Sequence, residues 1–333
     1  MIKRFVWYIS IFLMVCIIVF AVQFTHFLIF PAKSNTAFTV IEIPQGISFS
    51  SISKLLIKKR IVRDYVNFKL LGYLMGATHK TKYGEYLLSS SMRPTTIIDK
   101  LLNGEVMLHE VTIPEGYTDE EIAQTLHQRG LLKNVNDFIK LTHDPVFIAS
   151  VGVHAPSLEG FLFPNTYDLS KGLSSKDILI KMVDQFKAEY TSAMQQRAKQ
   201  LGMTELQIIT LASMIEKETS NPQERYLISA VFYNRLKRHM RLQSDPTVIY
   251  GLHLKNSRIT LHDLREKNKY NTYTISGLPP GPICNPGKDS IIAALYPAHV
   301  DYLYFVSKNN GTHMFTRTLK SHNYYVNLYQ RKK

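Results

Sequence analysis

Apolar residues run without a charge from Phe5 to Phe30, through Trp7, Ile11, Leu13, Ile17, Val19 and Leu28. At 1.5 Å per residue this stretch makes about 39 Å of helix, enough to cross a bilayer with some tilt. It is longer than the apolar core of a secretory leader and lacks a clear Ala-x-Ala cleavage site, so the pattern predicts a retained span over 5–30. Lys3 and Arg4 make a basic tip at residues 1–4. Basic flanks stay cytoplasmic, which puts residues from about 33 onward across the membrane.

Beyond the span the pattern shortens and repeats. Ile41-Glu-Ile-Pro-Gln-Gly-Ile-Ser-Phe-Ser-Ser-Ile matches Val111-Thr-Ile-Pro-Glu-Gly-Tyr-Thr-Asp-Glu-Glu-Ile at a constant offset. The pairs Ile43/Ile113, Pro44/Pro114, Gly46/Gly116, Ile52/Ile122, Leu56/Leu126 and Phe68/Phe138 are identical. These are turn residues and inward helix positions, the ones a shared fold needs. Each copy predicts a short strand, a Pro-x-Gly turn, a helix capped by Ser48 or Thr118, and a second helix. With a shifted register, Gly84-Glu-Tyr-Leu-Leu-Ser resembles Asn165-Thr-Tyr-Asp-Leu-Ser, each preceding a helix. Two copies are too few for a solenoid, so the pattern implies a duplicated small α/β module.

Residues 206–333 are denser. Helical periodicity predicts helices over 206–219 and 224–239, and Asp245-Pro246 spells the cap and first position of a third. In the first of these, Ile208, Leu211, Ile215 and Glu218 fall on one stripe, with Glu216 about 200° around the axis from Glu218. A Pro- and Gly-rich loop over 277–287 precedes a helix over 289–295. A strand over 302–306, a hairpin partner over 311–315 and a helix over 321–329 close the chain.

Composition narrows the chemistry. The 333 residues carry a net charge of +14 with no block of like charge, which suits an anionic surface or polymer. A body across the membrane excludes nucleic acid as the partner. Cys16 lies in the span and Cys284 is alone in the body, so the body holds no disulfide of its own. No His-x-x-x-His pair with a glutamate, no Gly-x-Ser-x-Gly elbow and no proper phosphate loop occurs, so no metal or cofactor is implied. What remains is carboxylate, amide and phenol chemistry in four clusters: Glu159–Tyr167, Asn234-Arg235, Arg241–Thr247 and Tyr270–Thr274. Sugars are bound by such amides, carboxylates and aromatic faces.

Glu159-Gly-Phe-Leu-Phe-Pro-Asn-Thr-Tyr, Ala212-Ser-Met-Ile-Glu-Lys-Glu-Thr, Met240-Arg-Leu-Gln-Ser-Asp-Pro-Thr-Val-Ile-Tyr-Gly, Tyr270-Asn-Thr-Tyr-Thr-Ile-Ser-Gly-Leu-Pro-Pro-Gly-Pro-Ile, Tyr302-Leu-Tyr-Phe-Val and Thr318-Leu-Lys-Ser-His-Asn resemble the YceG-like (MltG) endolytic murein transglycosylase family. The resemblance covers essentially everything after the span. It implies an α+β protein: an N-terminal transmembrane helix, a small LysM-like α/β module over 40–105 and a mixed α/β catalytic domain over 106–333. It further implies a single-pass inner-membrane lyase with its body periplasmic, working on peptidoglycan strands beside peptidoglycan synthases or division and elongation proteins. The expected reaction cleaves the MurNAc–GlcNAc β-1,4 bond of nascent glycan and leaves a 1,6-anhydro-MurNAc end.

The family's catalytic glutamate falls within Glu-Lys-Glu-Thr. Glu218 is the expected acid, because it continues the apolar stripe and because Glu-Thr parallels the Glu-Ser pair closing the corresponding helix in other lytic transglycosylases. Glu216 stays open as the alternative. Gln243, Asp245, Asn271 and Tyr273 are expected to orient substrate, with Glu159, Tyr167 and Asn234 as further binding candidates. A water-using muramidase would need a second carboxylate, for which Glu159, Glu224 and Asp245 are available. An inactive wall-binding scaffold is the reading from another class.

Overall fold

The computed structural model describes residues 2–34, 37–254 and 259–330; Met1 and the side chain of Lys3, part of the expected tip, lie outside them. The chain divides into two compact units, residues 1–109 with 168–173, and residues 110–167 with 174–333. Both mix helices with two-stranded sheets. The protein is α+β.

The first unit opens with α1 (Ile2–Ile29), whose stretch Arg4–Ile29 is long and apolar enough to cross a membrane. β1 (Phe38–Ile43), α2 (Phe49–Lys58), α3 (Tyr65–Leu74), β2 (Gly84–Ser89) and α4 (Pro94–Asn103) follow. β1 and β2 pair antiparallel from Phe38↔Ser89 to Ile43↔Gly84. Ile41, Ile52, Leu56, Phe68, Tyr86, Ile97, Ile98 and Leu101 form the core beneath them.

The duplication is visible in three dimensions. Farther along the chain β3 (His109–Thr112), α5 (Asp119–Gln128), α6 (Val135–Thr142) and β4 (Thr166–Leu169) recur in the same order, with α7 (Pro145–Ser150) inserted. Ser48 and Thr118 cap α2 and α5 as expected, and Thr118 closes a full capping box with Glu121. Gly46 and Gly116 take φ of +77° and +79°, a left-handed turn that only glycine adopts at little cost. Leu56 and Leu126 carbonyls each accept from the two amides that follow the helix, Ile61 and Val62 or Leu131 and Leu132. Tyr86 donates its hydroxyl to the carbonyl four residues back, Lys82, and Tyr167 does the same to Phe163. The register shift between the copies comes from extra chain around α7 and the loop bearing Glu159.

The rest of the second unit is helical: α8 (Ser175–Glu189), α9 (Ser192–Gln200), α10 (Glu205–Glu218), α11 (Pro222–Lys237), α12 (Asp245–Gly251) and α13 (Lys288–Leu295). A hairpin of β5 (Tyr304–Ser307) and β6 (His313–Thr316) and the helix α14 (Leu319–Tyr329) complete it. α10 starts at a Thr204–Gln207 capping box and stops where Thr219 turns extended, before Asn221 caps α11. Its residues Ile208 to Ile215 are all buried, so this helix has no solvent face there. The stripe read from the sequence is therefore part of a fully enclosed core helix. Ala212 and Ser213 are small, and Ser213 accepts the Ile283 amide and offers its carbonyl to the Cys284 thiol, clamping the Pro-rich loop onto α10.

Candidate active site

The end of α10 sends its two glutamates to different places. Glu216 turns to α11 and α13: its Oε2 accepts the Gly287 amide at 3.0 Å, and Oε1 lies 3.5 Å from Nη2 of Arg225. The same guanidinium reaches Asp289 at 3.2 Å and Glu115 at 3.6 Å. Glu216 is thus the inner partner of an ion-pair cluster that ties three segments together.

Glu218 turns to α12 and the loop before it. Ser244 donates its hydroxyl to Oε1 of Glu218 at 2.5 Å. Burial pushes the Glu218 carboxyl up to about 7, and the charge of Asp245 adds to that; the Ser244 hydroxyl and the Arg235 guanidinium pull the other way. A carboxylic acid that still carries its proton near neutral pH can donate it to a leaving oxygen and take one back.

The floor of this site is a buried hydroxyl network that sequence reasoning missed. Ser244 N–H donates to Oγ1 of Thr272, the Thr247 hydroxyl donates to the Ser244 carbonyl, and the two threonine hydroxyls meet at 2.9 Å. Asp245-Pro246 marks the start of α12, but the N-cap is Ser244, whose hydroxyl goes to Glu218 and makes no cap bond. Asp245 sits inside the first turn and is exposed. Arg235, named in the Asn234-Arg235 cluster but given no role of its own, is buried: it donates to the carbonyls of Leu303 and Leu242, both at 2.7 Å, and lies over the Tyr304 ring. Their only sequence signal was hydroxyls and a guanidinium inside motifs otherwise read for amides and rings.

The expected binding residues divide in two. Gln243, Asp245 and Tyr273 gather at Glu218. Gln243 is exposed, has a strained φ of +50°, anchors its N–H on the Thr272 carbonyl and accepts weakly from Arg235. Tyr273 donates its hydroxyl to Asp245 at 2.5 Å.

The remainder are committed elsewhere. Asn271 is fully buried; its Nδ2 donates to the carbonyls of Asp263, Leu264 and Glu266, while its Oδ1 accepts the Tyr273 amide. It holds the turn that presents Tyr273. Asn234 donates to the carbonyls of Val300 and Tyr302, and Tyr167 is buried with its hydroxyl on Phe163. Glu224 accepts from the amide and ring of His313. A groove of about 810 Å³ between α5 and α6, lined by Glu120, Gln124 and Ile139 among others, contains none of the residues around Glu218.

Glu159 belongs to a second, buried carboxyl centre. It accepts from the Asp119 amide, from Nδ2 of Asn285 at 3.2 Å and from the Tyr250 hydroxyl at 3.2 Å. The same Nδ2 donates to Oδ1 of Asp119, and Oδ1 of Asn285 accepts the Gly160 and Leu162 amides. Burial pushes Asp119 up to about 6 and Glu159 well above the usual carboxylate range, with the Asp119 charge adding to the latter. Both pKa values are raised on folding, so the folded chain holds protons that the unfolded chain has released. Stability from this pair therefore falls as pH rises from the ordinary carboxylate range through about 6 and beyond. Glu159→Gln is expected to flatten that decline, seen as a smaller difference in melting temperature between about pH 5 and about pH 8 than in the parent.

Ser244→Ala removes the hydroxyl that favours ionised Glu218 and frees its rotamer. Its expected effect is a loss on the order of tenfold in kcat, with the alkaline limb of the pH–rate profile moved upward. An unmoved limb in that profile would show that Ser244 does not set the proton affinity of Glu218.

Comparison with known proteins places the chain in a family. The profile of the YceG-like family matches residues 41–328, and the chain belongs to that family. It is 34% identical over 309 residues to the endolytic murein transglycosylase of Bacillus subtilis (strain 168), covering 88% of this chain and 85% of that protein. It is 30% identical over 322 residues to the protein of the same name from Streptococcus pneumoniae (strain D39), covering 86% of this chain but 58% of the longer relative. The 2.6 Å crystal structure of a yceG-like protein from Listeria monocytogenes superposes with a TM-score of 0.61 at 35% identity, covering 87% of this chain and all of that one.

Proposed function

We propose that the chain is an endolytic lytic transglycosylase of peptidoglycan, cleaving the MurNAc–GlcNAc β-1,4 bond within nascent strands to leave 1,6-anhydro-MurNAc ends. The observation that carries this reading is Glu218, a carboxyl raised to about 7 beside the exposed Gln243 and Asp245. The names of the relatives supply the substrate class.

In the proposed reaction Glu218 protonates the leaving glycosidic oxygen. As a carboxylate it then takes the proton from the MurNAc C6 hydroxyl, whose oxygen attacks C1 of the same sugar. An internal nucleophile gains from proximity and dispenses with the second carboxylate an ordinary glycosidase needs. Gln243 and Tyr273 orient the glycan, and Asp245 raises the proton affinity of Glu218. Residues 40–105 act as a LysM-like module and 106–333 as the catalytic domain. α1 anchors the chain once in the inner membrane, with the N-terminus cytoplasmic, the body periplasmic, and synthases or division and elongation proteins as partners.

One observation favours a second reading. Asp245 is exposed and close enough to act on the Glu218 charge, so it is available to activate water. Mass spectrometry of the products released from uncrosslinked nascent glycan by the purified full chain separates the two. Ends one water lighter than the hydrated sugar are expected. Reducing ends would replace the transglycosylase with a muramidase using Asp245, and no product at all would leave a wall-binding scaffold.

A further inference from the structure

α3 is apolar on two opposite sides. Phe68, Leu71, Gly72 and Met75 point inward, and Phe68 and Leu71 are buried in the core of the first unit. At 100° per residue, Val66, Leu70 and Tyr73 fall on the opposite side, with Lys69 and Leu74 flanking them. Val66, Tyr73 and Leu74 are 67, 71 and 63% exposed. A helix apolar all round is normally enclosed, so the outer stripe calls for a covering.

The neighbouring anchor says what covers it. The segment Arg4–Ile29 is about 39 Å long, about 9 Å more than a hydrocarbon core needs. Its last turns are not a free linker. Phe27 is buried in the same core as Phe68, with Phe24 and Leu28 packed against it, and the Lys33 amide is bonded to the Ser90 carbonyl. Arg63, one residue before the Asp64 cap of α3, donates to Nδ1 of His26 at 2.9 Å and to its carbonyl at 3.3 Å. α3 therefore starts within hydrogen-bond reach of the end of the spanning helix. Its apolar stripe is bordered by Lys69 and Arg63, and residues 33–109 hold eleven Lys and Arg against five Asp and Glu. Apolar and aromatic side chains with a basic border suit the boundary between acyl chains and anionic headgroups.

We infer that the outer face of α3 lies on the bilayer surface, with Val66, Leu70, Tyr73 and Leu74 seated at headgroup depth, so that the first unit is fixed on the membrane. This rests on α1 being the membrane anchor. The test uses the full chain in vesicles of phosphatidylcholine and phosphatidylglycerol, in a Cys16→Ser background with the buried Cys284 left in place. Spin labels are placed singly by Tyr73→Cys, by Ile18→Cys within α1 and by Lys320→Cys on α14. Collisions with oxygen and with a water-soluble nickel chelate are then compared. The expected result is a label at 73 whose nickel accessibility is at least about threefold below that at 320, with oxygen access retained. Accessibility at 73 equal to that at 320, with 18 in lipid, would overturn the inference alone. Shielding of 73 from both reagents would mean a protein covering and overturn it too. A label at 18 open to nickel would overturn the anchor reading and the inference together.

Discussion

Glu218→Gln is expected to lower glycan cleavage by at least about a thousandfold while leaving the fold intact. Glutamine keeps an oxygen to accept the Ser244 hydroxyl, so the buried Ser244–Thr247–Thr272 network has no reason to rearrange. In the proposed mechanism it removes only the proton that has to reach the glycosidic oxygen. The substitution also carries a stability signature. A carboxyl raised to about 7 keeps its proton in the folded chain over a range where the unfolded chain has lost it. Ionising it in place costs stability as pH climbs through that range, and glutamine is spared the cost. The variant should therefore melt at or above the parent temperature at about pH 8, which separates lost chemistry from lost structure. Near-parental cleavage in a well-folded variant would remove Glu218 from the acid role.

The neighbouring glutamate is expected to fail differently. Arg225→Met strips the guanidinium from Glu216, whose side chain is 7% exposed and keeps, among the described residues, the Gly287 amide. Breaking a buried pair by removing one partner costs about 3–5 kcal/mol, because the surviving charge stays desolvated. Asp289 and Glu115 are more exposed and regain water, so the lower end of that range applies. Glu216→Gln leaves a neutral acceptor for Gly287 and should lose only about 1 kcal/mol, with cleavage within about tenfold of the parent. Denaturant unfolding of the two variants checks the contrast. Parental stability in Arg225→Met would mean that the cluster is not what Glu216 is for.

These expectations show where the sequence was readable. The repeated turn, the caps at Ser48 and Thr118 and the inward pairs Leu56/Leu126 and Phe68/Phe138 follow from local rules, and they appear in the structure at the residues expected. The division of labour between Glu216 and Glu218 could not be read that way. α10 is buried on every side from Ile208 to Ile215, so hydrophobic periodicity there says nothing about where each glutamate turns. Their different surroundings come from partners far along the chain, Gly287 and Arg225 for one and Ser244 for the other. Local capping rules also pointed to Asp245, whereas the cap position belongs to Ser244 and its hydroxyl answers to a residue 26 positions earlier. Asn271, Asn234 and Glu159 looked like sugar ligands because amides and carboxylates bind hydroxyls. The same groups bind backbone, and in this structure each of the three makes such a bond. Asn285, the hub of the second carboxyl centre, was hidden in a loop readable only as proline and glycine.

The central claim is that Glu218 is the acid and works with its proton on at neutral pH. The most direct test is kcat/KM on nascent glycan from about pH 5 to about pH 9. The account predicts a profile that falls on the alkaline side with an apparent pKa of about 7, as Glu218 ionises. A rate that stays flat through that region would contradict it.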